Sequence, residues 1–113
     1  MRVTSELWVS ALVRRIFSDG GFAAMRRRGA REAGAIFVVL RTRLGVWELY
    51  GPAPQTSYDD ARPSERQFVH MLTASDEDEL EKRLAREMRF DPDVWVVEVE
   101  IAAEISAYLA LAD

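Results

Sequence analysis

His70 is the only imidazole in a chain of 113 residues that has no cysteine. Nucleophilic catalysis needs an activated serine, cysteine, threonine or lysine beside a base. Here there is no thiol and no Gly-x-Ser-x-Gly turn, and His70 sits between apolar neighbours in Phe68-Val-His-Met-Leu72. That is the ordinary setting of a core or edge-strand histidine. Without cysteine or a second histidine, cysteine-ligated zinc, iron–sulfur clusters and multi-histidine metal sites are excluded. Without asparagine there is no N-glycan acceptor. Gly29-Ala-Arg-Glu-Ala-Gly34 has the glycine spacing of a phosphate loop, but Ala35 and Ile36 stand where Lys-Ser/Thr would be needed. Asp76-Glu-Asp-Glu79 concentrates carboxylates, with Asp91 and Asp93 further on. Adjacent helical residues point in different directions and no glycine-centred calcium loop surrounds either set. Compensation of a helix dipole accounts for the run. No metal and no cofactor is expected.

Arginine, tyrosine and carboxylate are the functional groups that remain, and two groupings could use them. In the first, Gln55, Tyr58, Arg62 and Arg66 lie in or beside the polar stretch that follows Gly51-Pro-Ala-Pro54. Prolines stiffen such a segment, and the guanidinium fork suits carboxylate recognition. Its plain counterpart is a loop over a sheet edge, its arginines paired to Asp59, Asp60 or Glu65. In the second, Arg26, Arg27, Arg28 and Arg31 follow Arg14 and Arg15, with Trp8 and Phe22 nearby. Such a cluster could hold phosphates, with the aromatic rings stacking bases. A solvated basic face is its plain counterpart, since the chain carries no recognised nucleic-acid motif. An enzyme built from these groups would lean on Asp91 and Glu98, with no substrate to name.

Charge is distributed unevenly. Residues 1–58 hold nine arginines and four acids, residues 59–113 six bases and fifteen acids, so halves of +5 and −9 make the total of −4. Fourteen of the fifteen bases are arginine, with Lys82 the only lysine; a scarcity of A-rich codons explains that as well as function does.

Elements must position these side chains. Thr4 and Ser5 open a helix whose apolar residues Trp8, Ala11, Leu12 and Ile16 recur at helical spacing until Gly20-Gly21; a strand over 7–13 is the rival reading. Residues 22–28 show no dominant period. The run Ala35–Leu40 reads as a buried strand, and the turn Arg43-Leu-Gly45 joins it to a partner at Val46–Tyr50. Gly51–Pro54 should break the sheet. A short strand follows at Arg66–Leu72, with Phe68, His70 and Leu72 on one face. Ser75 caps a helix striped by Leu80, Leu84 and Met88 and ended by Phe90-Asp-Pro92. Asp93–Ile101 alternates as a strand, and Ile101, Ile105, Leu109 and Ala112 suggest a short tail helix.

The expected fold is a single α+β domain over 1–113. It has a mostly antiparallel sheet of four or five strands, two main helices on one face and a short C-terminal helix. Arginines interrupt the first apolar stretch instead of preceding it, unlike a signal peptide. No segment reaches the roughly 18–20 apolar residues of a membrane span. A cytoplasmic protein with no membrane partner is expected.

Several segments are distinctive as a set: Ser5-Glu-Leu-Trp-Val-Ser-Ala-Leu-Val-Arg-Arg15, Gly20-Gly-Phe-Ala-Ala24, Arg28-Gly29, Ala33-Gly-Ala-Ile-Phe37, Gly51-Pro-Ala-Pro-Gln55, Tyr58, Arg62-Pro63 and Glu87-Met-Arg-Phe-Asp-Pro-Asp-Val-Trp-Val-Val-Glu98. Together they resemble a family of short bacterial proteins catalogued as a domain of unknown function. The resemblance covers residues 2–101; the amphipathic tail 102–113 departs from the charged, glycine-containing ending of that family. It implies a small, standalone, intracellular bacterial domain, and no activity. The functional expectation is a non-enzymatic protein-interaction or adaptor module that uses Gln55, Tyr58, Arg62 and Arg66, with self-association open. Weak nucleic-acid binding through Arg26, Arg27, Arg28 and Arg31 is the first alternative, and carboxylate–arginine–tyrosine enzymology the second.

Overall fold

Thr4 accepts a hydrogen bond from the Leu7 N–H at 3.2 Å and caps helix α1 (Ser5–Ser18). The hydroxyl satisfies one of the donors that a helix start leaves orphaned. At the other end Gly20 takes φ +87°, which lets its N–H reach the Phe17 carbonyl at 3.1 Å and the Gly21 N–H reach Ile16 at 2.9 Å. Those are the two bonds of a Schellman stop. The computed structural model describes residues 3–54 and 65–112, so Gln55, Tyr58 and Arg62 lie outside the described residues.

After α1 come strands β1 (Phe22–Arg27), β2 (Ile36–Arg41), β3 (Trp47–Pro52) and β4 (Gln67–Ala74), then helix α2 (Glu77–Phe90) and strand β5 (Trp95–Glu100). A 3-10 turn (Ile105–Ala107) and a short β6 (Ala110–Leu111) complete the chain. The sheet has six strands in the order β1-β5-β2-β3-β4-β6. It is mixed, where four or five mostly antiparallel strands are expected from the sequence. β5 runs parallel to β2 and β6 parallel to β4, the other ladders being antiparallel. The parallel pairing follows from connectivity, because α2 carries the chain across the sheet before β5 enters between β1 and β2.

The two helices cover opposite faces, not one. Val9, Leu12 and Ile16 of α1 pack with Ile36, Val38, Leu40, Trp95, Val97 and Val99, while Leu80 and Leu84 of α2 pack with Phe37, Val39, Leu49, Val94 and Val96. Central strands that are apolar on both sides need a coat on both sides. The unbroken run Ile36–Leu40 already carries that requirement.

Three local expectations also change. Asp76, not Ser75, caps α2, accepting from the Glu79 N–H at 2.9 Å. Gly51 and Pro52 continue β3 opposite Val69 and Phe68 instead of breaking it, with Pro52 as its last residue, where a missing donor is tolerated. Between Leu49↔Leu72 and Tyr50↔His70 the register slips by one, so Met71 is an extra residue in β4. That bulge turns Leu72 away from Phe68 and toward the α2 side, where it packs with Met71 and Leu49.

The tail forms no α-helix. Ile105 and Leu109 are buried as their spacing implies, but in a 3-10 turn followed by a strand bonded to β4, with the Ala112 N–H on the Phe68 carbonyl at 2.9 Å. So short a helix is marginal by itself, and the free edge of β4 offers backbone partners instead. Among the described residues no helix is long and apolar enough to cross a membrane.

Candidate functional site

The Gly29–Gly34 segment shows what its glycines are for. A Cβ on Gly29 would lie 2.2 Å from the Asp93 carbonyl oxygen, and one on Gly34 2.3 Å from the same atom. The loop is pressed against the entry to β5, held by Ala30 N–H to Asp93 O at 3.0 Å and Trp95 Nε1–H to Ala30 O at 2.7 Å. Its carbonyls meet the start of α1: Glu32 O accepts from Ser5 N–H, Arg31 O from Glu6 N–H, and Gly34 O from Ser5 Oγ. A phosphate cradle needs converging N–H donors. This loop turns acceptors to the helix N-terminus, so the glycine spacing is a packing device.

The four clustered arginines part company. Arg26 turns to the α2 side, where its guanidinium pairs with Glu98 at 3.2 Å, with Glu81, and with Glu77 at 3.8 Å. Arg27 donates to the Pro92 carbonyl at 2.6 Å. Arg28 and Arg31 turn to the α1 side and share the Glu6 carboxylate at 3.2 and 3.1 Å, Arg28 also lying over the Trp95 ring. No single cationic surface gathers all four. Nor do Asp91 and Glu98 share a site: Asp91 Oδ1 accepts from the Asp93 N–H at 3.0 Å, and Glu98 holds Arg26.

Of Gln55, Tyr58, Arg62 and Arg66, Arg66 alone lies among the described residues. Its Nη2 donates to the Val3 carbonyl at 2.8 Å, tying the start of β4 to the residues ahead of α1. Beside it lies a cleft of about 190 Å³ lined by Ala33, Ala35, Ile36, Pro52, Gln67 and Phe68 as well as Arg66 itself. The Trp8 ring leans on Phe68 at 5.3 Å. Ala53 N–H bonds Gln67 O at 2.9 Å, so both ends of the 54–65 connection are clamped together. Its lining mixes apolar side chains with the polar groups of Arg66 and Gln67.

A second constellation went unnoticed in the sequence. Tyr50 Oη donates to Glu48 Oε1 at 3.1 Å, and His70 Nε2 lies 2.8 Å from Thr73 Oγ1 and 3.5 Å from the same Glu48 oxygen. The alternation Glu48-x-Tyr50 was legible, but the bulge that brings Thr73 to His70 was not. Nucleophilic relay requires hydroxyl and carboxylate on different ring nitrogens. Here both approach Nε2, and the His70 side chain is 45% exposed. His70 is therefore a surface residue of a strand near the sheet edge.

The Tyr50 phenol of this group is shifted upward. Burial, then the Glu48 charge and hydrogen bond, then Glu104, push it from 10 up to about 12. A raised folded-state value contributes stability that is intact below pH ~10 and is lost as pH climbs through ~12. Stability should fall by on the order of 2 kcal/mol across that window. Urea unfolding at stepped alkaline pH checks it, and Tyr50→Phe should flatten that slope by the same amount.

The family model for the protein of unknown function DUF1491 matches residues 3–108, past the limit of the resemblance at Ile101. The chain is similar to a protein from A. tumefaciens known from its solution structure, with TM-score 0.83 and 50% identity over 100% of this chain and 97% of that one. It is also similar to a DUF1491 family protein from Caulobacter crescentus. The crystal structure of that protein superposes with TM-score 0.72 at 34% identity over 87% of each chain. An NMR structure of a DUF1491 family protein from Caulobacter crescentus gives 0.77 at 30% over 100% of this chain and 99% of that one. None of the curated proteins matches the chain. On the family match and on these three likenesses, the chain belongs to the DUF1491 family.

Proposed function

We propose that this protein is a non-enzymatic interaction module, an adaptor of the bacterial cytoplasm whose recognition segment is the connection between β3 and β4. The observation that carries this reading is the cleft at the base of that connection, which brings apolar Ala33, Ala35, Ile36 and Phe68 together with Arg66 and Gln67. A partner segment that pairs an apolar side chain with a polar or acidic neighbour fits such a mixed lining. Gln55, Tyr58 and Arg62 extend the same segment and would add donors and a stacking surface. Nucleic-acid binding is less favoured, because Arg26, Arg28 and Arg31 already serve Glu98, Glu81 and Glu6.

A photo-crosslinking residue at exposed Pro54 tests this against one at exposed Arg86 on α2. In cells, position 54 should give a discrete protein adduct and position 86 none. The Arg62→Glu/Arg66→Glu variant should reduce the adduct about tenfold or more, as expected when interface charges are reversed. Equal adducts at both positions, or no loss in the double variant, would overturn the proposal.

A further inference from the structure

We infer that the opposite end of the sheet carries a second docking bay, one that receives an acidic segment of a partner protein bearing an apolar side chain beside its carboxylates. β2 begins at Ile36 in the cleft described above and ends at Arg41 in this bay, so the two lie at opposite ends of one strand. The bay encloses about 330 Å³ between the Gly20-Gly21 turn, Phe22, Arg41, Arg43 and Glu100.

Its charge is available. Arg41 and Arg43 are both exposed, and neither has a carboxylate partner among the described residues. Arg26, Arg28, Arg31 and Arg83 are each paired to a glutamate. Among the described residues Arg41 and Arg43 share their unpaired state with Arg14, Lys82, Arg86 and Arg89, and differ from these in lining one concavity together. Arg41 is held in place over the Trp47 ring at 5.2 Å, so less freedom is lost when it binds.

Apolar side chains in and beside it are also uncovered. Phe17 and Phe22 are 52% and 45% exposed and meet edge to face at 6.0 Å, and Leu44, next to Arg43 in the β2–β3 turn, is 91% exposed. Aromatic rings left half in water beside guanidinium groups suit a ligand that alternates apolar and acidic side chains.

The test titrates the ¹⁵N-labelled full chain with an acetylated, amidated peptide Glu-Asp-Phe-Glu-Asp-Leu-Glu-Asp. Amide shifts of Gly20, Gly21, Phe22, Arg43 and Ala102 should move together and saturate. Arg41→Glu/Arg43→Glu should weaken binding about tenfold or more. Arg43→Ser, at a turn position with no side-chain partner to lose, should weaken it in the same direction and guards against a folding defect in the double variant. Arg66→Glu should leave this titration unchanged, which separates the bay from the cleft at the other end. Shifts outside the bay, equal binding of the Lys-for-acid peptide, or tighter binding of oligothymidylate at the same amides would each overturn the inference.

Discussion

Gly29→Ala should cost about 3 kcal/mol of stability, read as a shift in the denaturant midpoint at unchanged slope. The added methyl would stand 2.2 Å from the Asp93 oxygen, 2.6 Å from the Val94 carbonyl carbon and 2.7 Å from Trp95 Cδ1. Two of these are backbone atoms at the entry to a buried strand, and Trp95 is 1% exposed, so nothing nearby can swing away. The loop must lift instead. Lifting it strips the Trp95 indole N–H of Ala30 O and draws the 31–34 carbonyls off the start of α1. Gly20→Ala supplies the contrast: its Cβ would meet nothing within 4 Å, yet φ is +87°. Only the conformational penalty applies there, about 1 kcal/mol. If the two variants cost the same, the loop is not docked on β5 as described.

That comparison also shows what kind of information the sequence holds. Both glycine pairs are plain in the sequence, and the Gly20-Gly21 stop follows from local rules alone. The role of Gly29 and Gly34 depends on Asp93, some sixty residues away, and no local pattern reports it. The same division runs through the fold. The β2–β3 hairpin and the stripe Leu80, Leu84, Met88 were legible because their causes are neighbours in the chain. β1 was not, since Phe-Ala-Ala-Met-Arg-Arg has no period and becomes a strand only by pairing with β5. The tail's apolar spacing correctly marked Ile105 and Leu109 as buried. Its helical reading failed because an open strand edge, a tertiary feature, competes for the same backbone groups. At the β3–β4 connection the residue types singled out Arg66, whereas the cleft it lines is assembled from three separated stretches of chain.

The uneven charge acquires its meaning at Arg26, where the basic half of the chain meets the acidic half. Arg26→Met should destabilise the protein by about 3 kcal/mol, because breaking a poorly solvated pair strands the remaining charge. The guanidinium and the Glu98 carboxylate are only 20% and 17% exposed. Glu81 and Glu77, reaching down from α2 to the same guanidinium, would then face Glu98 with no cation between them. Glu98→Gln should cost less, about 1 kcal/mol, since Arg26 keeps its two helix carboxylates and a neutral acceptor. The double variant Arg26→Met/Glu98→Leu should recover most of the loss, because a well-packed apolar pair can replace a buried ionic one at little cost. Urea unfolding of Arg26→Met, Glu98→Leu and Arg26→Met/Glu98→Leu closes the double-mutant cycle. Strict additivity would mean that Arg26 and Glu98 do not stabilise one another, and that Arg26 faces solvent as a free member of a basic surface. A strong positive coupling places it instead as the rivet that joins β1, β5 and α2, which is why this arginine is the least available of the four to any partner.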